Sequence, residues 1–253
     1  MKKLIKATLF LLLCAFSVTN HAQKEVIVGG YEFPPFISLN NGRPSGMTLD
    51  LINILNNSQQ KYIFKFKLTT SKERYRDFNQ RKYDFIFFEN IIWGWHDEPI
   101  RPSRVILNGG EVFIAKAASG RDQKYFDSLK DKALLGIQGY HYKFANFVTS
   151  KEYLQKYFNM ELGTSHDENI KSVISREQPT IAIVTKSYIN LFLNQNPKLR
   201  KSLIVSKKLD QTYRHTILGR VSASPTIGEV NDLIEKLKAN GKLEFLWKRY
   251  GIK

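Results

Sequence analysis

Two successive runs of alternating strand and helix signals constrain this chain most. Residues 25–29 (Glu-Val-Ile-Val-Gly) form a short apolar strand, broken after Gly30 by Phe33-Pro34-Pro35-Phe36, where two prolines forbid a continuing ladder. Asn40-Asn41-Gly42 is a turn signal. Leu49, Ile52, Ile54 and Leu55 then recur at helical spacing, with Thr48 placed to cap the helix. Tyr62, Phe64, Phe66 and Leu68 share one face of a strand, Ser71 opens a helix through Arg74, Tyr75 and Phe78, and residues 83–88 read as a buried strand. Strand, helix, strand, helix, strand is the order of a parallel sheet with crossover helices.

A second unit follows. Strands are predicted at 111–116, 133–137 and 180–184, and helices at 125–130, 142–157, 168–175 and 187–193. Residues 214–221 form a strand that runs back to the first unit. A helical region over 226–247 breaks near Asn240-Gly241. The expected fold class is therefore α/β with two lobes, each a mostly parallel sheet flanked by helices, joined by two crossing strands. Ligands in such sheets bind at the carboxyl ends of the strands. Those ends are residues 30–36, 88–95, 138–141 and 184–186.

The N-terminus predicts export. Lys2, Lys3 and Lys6 precede the apolar run 9–16 and the polar stretch 17–23, which is the order of a secretory signal peptide over residues 1–22. The run is far short of the ~20 residues a spanning helix needs, so a periplasmic location is expected. Cleavage after Ala22 fits best, with Ser17 as the alternative. A lipidated Cys14 would want a small residue before it, and Leu13 stands there. Cleavage after Ala22 leaves no cysteine, which excludes disulfides and thiol catalysis. The formal charge of +16, or +13 without those three lysines, is scattered rather than clustered, so a solvated basic surface is expected and nucleic acid is not a partner. His96, His141, His166 and His215 lack metal-ligand spacing, and no Gly-x-Ser-x-Gly, phosphate loop or dinucleotide fingerprint occurs. Neither cofactor nor metal is expected.

The ordered segments Phe33-Pro34-Pro35-Phe36, Gly46-Met47-Thr48-Leu49-Asp50-Leu51, Tyr83-Asp84-Phe85-Ile86, the stretch 129–139 and the closing Trp247-Lys248-Arg249-Tyr250-Gly251 resemble the family 3 bacterial solute-binding proteins, periplasmic receptors of amino-acid ABC transporters with the type 2 periplasmic-binding fold. The resemblance spans essentially the whole mature chain. It implies a monomeric, non-enzymatic receptor that traps a small molecule by hinge closure. Lobe 1 would be residues 23–113 and 217–253, and lobe 2 residues 114–216. The implied partner is a membrane permease or, for a sensory binding protein, a membrane sensor. A dehydratase-like enzyme on the same fold is the other alternative, with Glu89 and His141 as its candidate acid and base.

The resemblance also makes Phe33 the aromatic platform of the site. The family's gripping arginine and aspartate are missing where expected, since Phe88-Glu89-Asn90-Ile91-Ile92-Trp93-Gly94-Trp95 and Val184-Thr185-Lys186 stand there, with Tyr140-His141 after Gly139. The expected binding residues are Phe33, Glu89, Asn90, Trp93, Trp95, Gly139, Tyr140 and Thr185. One carboxylate amid aromatic rings suits an organic cation, or an aromatic, weakly charged or sugar-like ligand, rather than a standard α-amino acid.

Overall fold

The computed structural model describes residues 22–252; the predicted signal peptide up to His21, with Cys14, lies outside the described residues. In the first lobe β1 (Lys24–Gly30) pairs in parallel with β4 (Tyr62–Leu68) on one side and β5 (Phe85–Glu89) on the other. The helices α1 (Met47–Asn56) and α2 (Arg74–Asn79) make the two crossovers. A small hairpin of β2 (Ser38–Asn40) and β3 (Arg43–Ser45) turns at Asn41 and Gly42, whose φ values of 51° and 75° suit an Asn-Gly loop.

β6 (Ile100–Pro102) leads to β7 (Leu107–Lys116), the first crossing strand. The second lobe holds β8 (Ala133–Ile137), β9 (Met160–Gly163) and β10 (Thr180–Thr185), with α3 (Lys151–Phe158), α4 (His166–Ser175) and α5 (Lys186–Gln195). β8 pairs in parallel with both β9 and β10, and β10 runs antiparallel to β7. The return is β11 (Leu203–Arg220), an 18-residue strand whose first part pairs with β7 and whose last part pairs with β5. Then α6 (Ile227–Ala239) and α7 (Lys242–Arg249) close on the first lobe, with Gly241 at φ 76° between them.

Every residue of β5, β8 and β10 is buried. Their continuous apolar runs are what a parallel sheet covered on both faces requires. One core seals the outer face of the second lobe under α4 and α5, through Ile170, Val173, Ile189 and Phe192. The larger core runs without a break from α1 and α7, through Phe33, Trp93 and Tyr140, to Phe113 and Ile183 of the second lobe.

Four local expectations change, and the simplest is the helix expected over 125–130, which is a 3-10 turn at Gln123–Phe126. Thr48 does not cap α1: the helix begins at Met47, Gly46 takes the N-cap position at φ 120°, and the Thr48 hydroxyl is buried without a partner. Gly46 is required there, because a Cβ would lie 2.7 Å from the Phe36 carbonyl oxygen. The helix predicted over 142–157 is a 3-10 turn at Lys143–Ala145 followed, after a break, by α3. The break is tertiary in origin. Asp210 on β11 accepts from the backbone N–H groups of Lys143 and Phe144 at 2.8 and 3.0 Å, and Asn146 and Phe147 turn left-handed behind them. Finally, the return strand is more than twice the predicted length, because β7 partners it between Leu203 and His215 before β5 and β6 take over.

Candidate functional site

The carboxyl ends of β1, β5 and β8 converge on one point, and the crossing strands β7 and β11 form its floor. Phe33 is held there by reciprocal backbone bonds with Ile37 of 2.9 and 3.0 Å. At the end of β5, Phe88 adopts φ 60°, uncommon for a bulky residue, and its carbonyl oxygen lies 2.7 Å from His215 Nδ1. That turn sends the Glu89 side chain into the protein. Glu89 Oε2 accepts from Trp95 Nε1 at 2.6 Å and stands 3.8 Å from Arg74 Nε; the Tyr31 hydroxyl is a further donor to this carboxylate. Both members of the Arg74–Glu89 pair are 1% exposed. Burial raises the Glu89 pKa, opposed by Arg74, Tyr31 and Trp95. For Arg74 the cost of burial is outweighed by Tyr31 and Glu89, so it stays charged. Ionised together, the two leave neither charge unpaired.

Arg74 reaches across the cleft. Its guanidinium donates to the Ser71 and Gly139 carbonyl oxygens and to Tyr75 Oη, lies 3.4 Å from His141 Nδ1, and sits over the Tyr31 and Tyr75 rings at 4.9 and 4.4 Å. The lobes are joined further by Ser71 Oγ donating to Gln138 O at 2.7 Å and Tyr140 Oη donating to Glu32 O at 3.0 Å. From the floor, Gln211 accepts from Trp93 Nε1 at 3.0 Å and donates to Glu111 Oε2 at 2.8 Å and to the His141 carbonyl oxygen. Burial pushes Glu111 up to about 8, against donation from Tyr213 and Gln211. Burial, helped by Arg74, drives His141 down to about 3.

Of the residues predicted from sequence, Phe33, Trp93, Gly139 and Tyr140 line the interlobe cavity. Glu89 lies beneath Arg74 and does not line it. Asn90 is buried and accepts from the Ile92 N–H at 3.3 Å, shaping the loop. Trp95 packs against Tyr75 and Phe78 at 4.8 and 5.5 Å in the first lobe's core. Thr185 Oγ1 is 3.3 Å from His166 Nε2, behind Tyr140. Sequence reasoning passed over Tyr31, Arg74, Glu111, Gln211 and Tyr213, all lining residues. A signal existed for two of them. Gln211, Tyr213 and His215 alternate along one face of a crossing strand, where polar groups face the cleft rather than a core. Among the described residues no group of three or more His, Cys, Asp or Glu side chains could hold a metal ion.

These buried groups make stability depend on pH in opposite directions. His141, His166 and His215, held at about 3, 3 and 4 by burial against an ordinary 6.5, contribute stability that is lost as pH falls below 6.5. Glu111 is raised from 4.5 to about 8, so its contribution is full below 4.5 and is lost as pH rises towards 8. Each group changes stability by about 1.4 kcal/mol per pH unit within its window. The melting temperature is expected to peak near pH 6.5. In Glu111→Gln the decline between pH 6.5 and 8 should become shallower, what is left coming from Glu89, whose pKa burial also raises; a thermal melt at half-unit pH steps measures it.

No family model and no curated protein sequence matches the chain. Solved structures do. A mutant of the arginine-binding protein ArgBP from T. maritima superposes with a TM-score of 0.66 at 17% identity, over 89% of this chain and 94% of that one. The GluR0 ligand-binding core in complex with L-glutamate gives a TM-score of 0.69 at 14% identity, over 90% of this chain and 99% of the other. This chain has the two-lobed, type 2 periplasmic-binding-protein fold. The same fold in the ancestral amino acid-binding protein AncCDT-1, described as a precursor of cyclohexadienyl dehydratase, aligns with a TM-score of 0.66 at 15% identity, over 89% and 94% of the two chains. Within this fold the convergence of Phe33, Arg74, Tyr140 and Gln211 occupies the cleft between the lobes. No helix among the described residues is long and apolar enough to cross a membrane.

Proposed function

We propose that the chain is an exported periplasmic receptor, monomeric, with lobes at 23–113 plus 217–253 and at 114–216, which closes on a small molecule and delivers it to an ABC-type uptake system. One observation carries the reading: side chains from both lobes and from both crossing strands meet at the carboxyl ends of the strands, where closure desolvates a bound solute. A standard α-amino acid is disfavoured. Its carboxylate would have to compete for Arg74, already engaged by Glu89 and by backbone carbonyl oxygens, and its ammonium group would face Glu111, held largely protonated at neutral pH. A thermal-shift screen of amino acids, amines, sugars and neutral aromatics tests this. A solute at a hundred times its Kd stabilises by about 2.7 kcal/mol, an upward shift of roughly 5–10 °C. Phe33→Ala should abolish the shift, and a shift that persists would move the site elsewhere. Strong stabilisation by an ordinary α-amino acid would refute the ligand class.

Glu111 favours one second reading, a dehydratase-like enzyme. A carboxyl protonated near neutral pH, beside Gln211 and Tyr213 in a water-poor cleft, has the protonation state of a general acid. Turnover of a screened solute that is lost in Glu111→Gln would establish catalysis. Binding without turnover would dismiss it.

A further inference from the structure

The floor of the cleft is full. The cavity lined by Phe33, Arg74, Tyr140 and Gln211 measures about 10 Å3, room for one water at most, while a more open pocket of about 310 Å3 lies beside it between Ser71 and Tyr75 of the first lobe and Gln138 and His141 of the second. The ring that fills it belongs to the protein. Tyr140, on the turn after β8, crosses from the second lobe and stands edge-on to Phe33 at 5.5 Å and 90°, and edge-on to Tyr31 at 6.4 Å and 78°. Trp93 meets Phe33 from another side at 5.7 Å and 82°. Tyr31 and Phe33, stacked at 6.1 Å and 12° with Trp93 against Phe33, thus make the aromatic box of the first lobe, and the ring of the second meets Tyr31 and Phe33 edge-on. Gly139 aims that ring: its φ is 78°, and a Cβ there would lie 2.8 Å from Ser71 Oγ.

The charges of the cleft are also already answered. The Arg74 charge is paired with Glu89 at 3.8 Å and its terminal nitrogens donate to two carbonyl oxygens and Tyr75 Oη, leaving only its buried Nε without an acceptor; Glu111 accepts from Gln211 and Tyr213. A carboxylate or ammonium entering the box would give up its water and find no free counter-charge. A flat neutral ring would lose nothing of the kind, and it would recover the edge-to-face contacts that Tyr140 makes.

We propose that Tyr140 is a resident ligand, a side chain of the second lobe seated in the aromatic box of the first, and that the solute which displaces it is an uncharged planar ring. This rests on the receptor reading above and names its ligand class. The bonds Tyr140–Glu32, Ser71–Gln138 and Arg74–Gly139 hold the second lobe on the first with no contribution from a solute, so closure without solute is expected. A solute must compete with a tethered ring at high effective concentration, so its apparent affinity is divided by the small fraction of boxes standing empty.

The probe is p-cresol, the tyrosine side chain as a free molecule. Calorimetric titration of Tyr140→Ala with p-cresol is expected to show binding at least about tenfold tighter than in the wild type. Tyr140→Phe keeps the ring but loses the bond to Glu32, so p-cresol should bind it more weakly than Tyr140→Ala and no more weakly than the wild type. The charged counterparts 4-hydroxybenzoate and tyramine should bind Tyr140→Ala more weakly than p-cresol. Equal p-cresol affinity in Tyr140→Ala and wild type overturns the proposal, as does a preference for either charged probe. Should Tyr140→Ala fail to fold, small-angle scattering of the solute-free wild type decides: a compact, closed particle supports the resident ligand, and an open one refutes it. The two readings fail differently. A charged solute that stabilises the wild type leaves the receptor intact and removes the ligand class. A wild type that no solute stabilises, beside a Tyr140→Ala that captures p-cresol, removes the receptor and keeps the occupied box.

Discussion

Arg74→Met is expected to lower the stability of the folded protein by about 3–5 kcal/mol, the cost of stranding one partner of a buried ion pair. The two side chains are 1% exposed each, so solvent screening offers Glu89 no relief once the guanidinium has gone. Glu89 would keep Trp95 and Tyr31 as donors, which is why the loss stops short of a fully unpaired charge. Urea titration at pH 7 measures it. The double variant Arg74→Met, Glu89→Gln should recover a large part of the loss, since it removes both charges at once. A single variant within 1 kcal/mol of wild type would mean that Glu89 is not ionised in the native protein.

The second large effect is expected at Trp95. Truncation to alanine empties a site that is completely buried between Tyr75 and Phe78 and should cost about 3–5 kcal/mol. Trp95→Phe separates packing from hydrogen bonding. It keeps a ring against both neighbours but deletes the Nε1 donor to Glu89, so a loss of about 1–3 kcal/mol is expected. Equal stability of Trp95→Phe and wild type would show that the 2.6 Å bond contributes nothing net. Neither variant should alter solute affinity much, because Trp95 lies one layer behind the cleft lining.

The architecture was largely legible in the chain. Alternating strand and helix signals place β1, β4, β5, β8 and β10 within a residue or two, because β4 alternates apolar and polar residues and the others are largely apolar runs bounded by glycine, proline or polar residues. The short strands β2, β3, β6 and β9 were not legible, nor was the break before α3. β9 has only four residues, Met-Glu-Leu-Gly, without the β-branched signal that marks a strand, and its existence depends on β8 beside it. The break before α3 depends on Asp210, more than sixty positions away in sequence. Of the candidate site, Phe33, Trp93, Gly139 and Tyr140 were readable as aromatic or turn residues just past strand ends.

Aromatic rings at the strand ends follow from the sequence by itself: the loops past the carboxyl ends of parallel strands border the cleft once the crossovers are right-handed, although single side chains in them can turn back into the core, as Trp95 does. Whether those rings leave room for a solute was decided by the tertiary structure alone. Arg74 is an ordinary helical position in the sequence and becomes the partner of Glu89 only when α2 packs across the end of β5. Tyr140 becomes an occupant of the box only when the second lobe closes on the first. Charge pairing and cavity filling depend on distances between segments that no local pattern encodes, so an open aromatic cleft and a self-filled one read alike until the lobes are brought together.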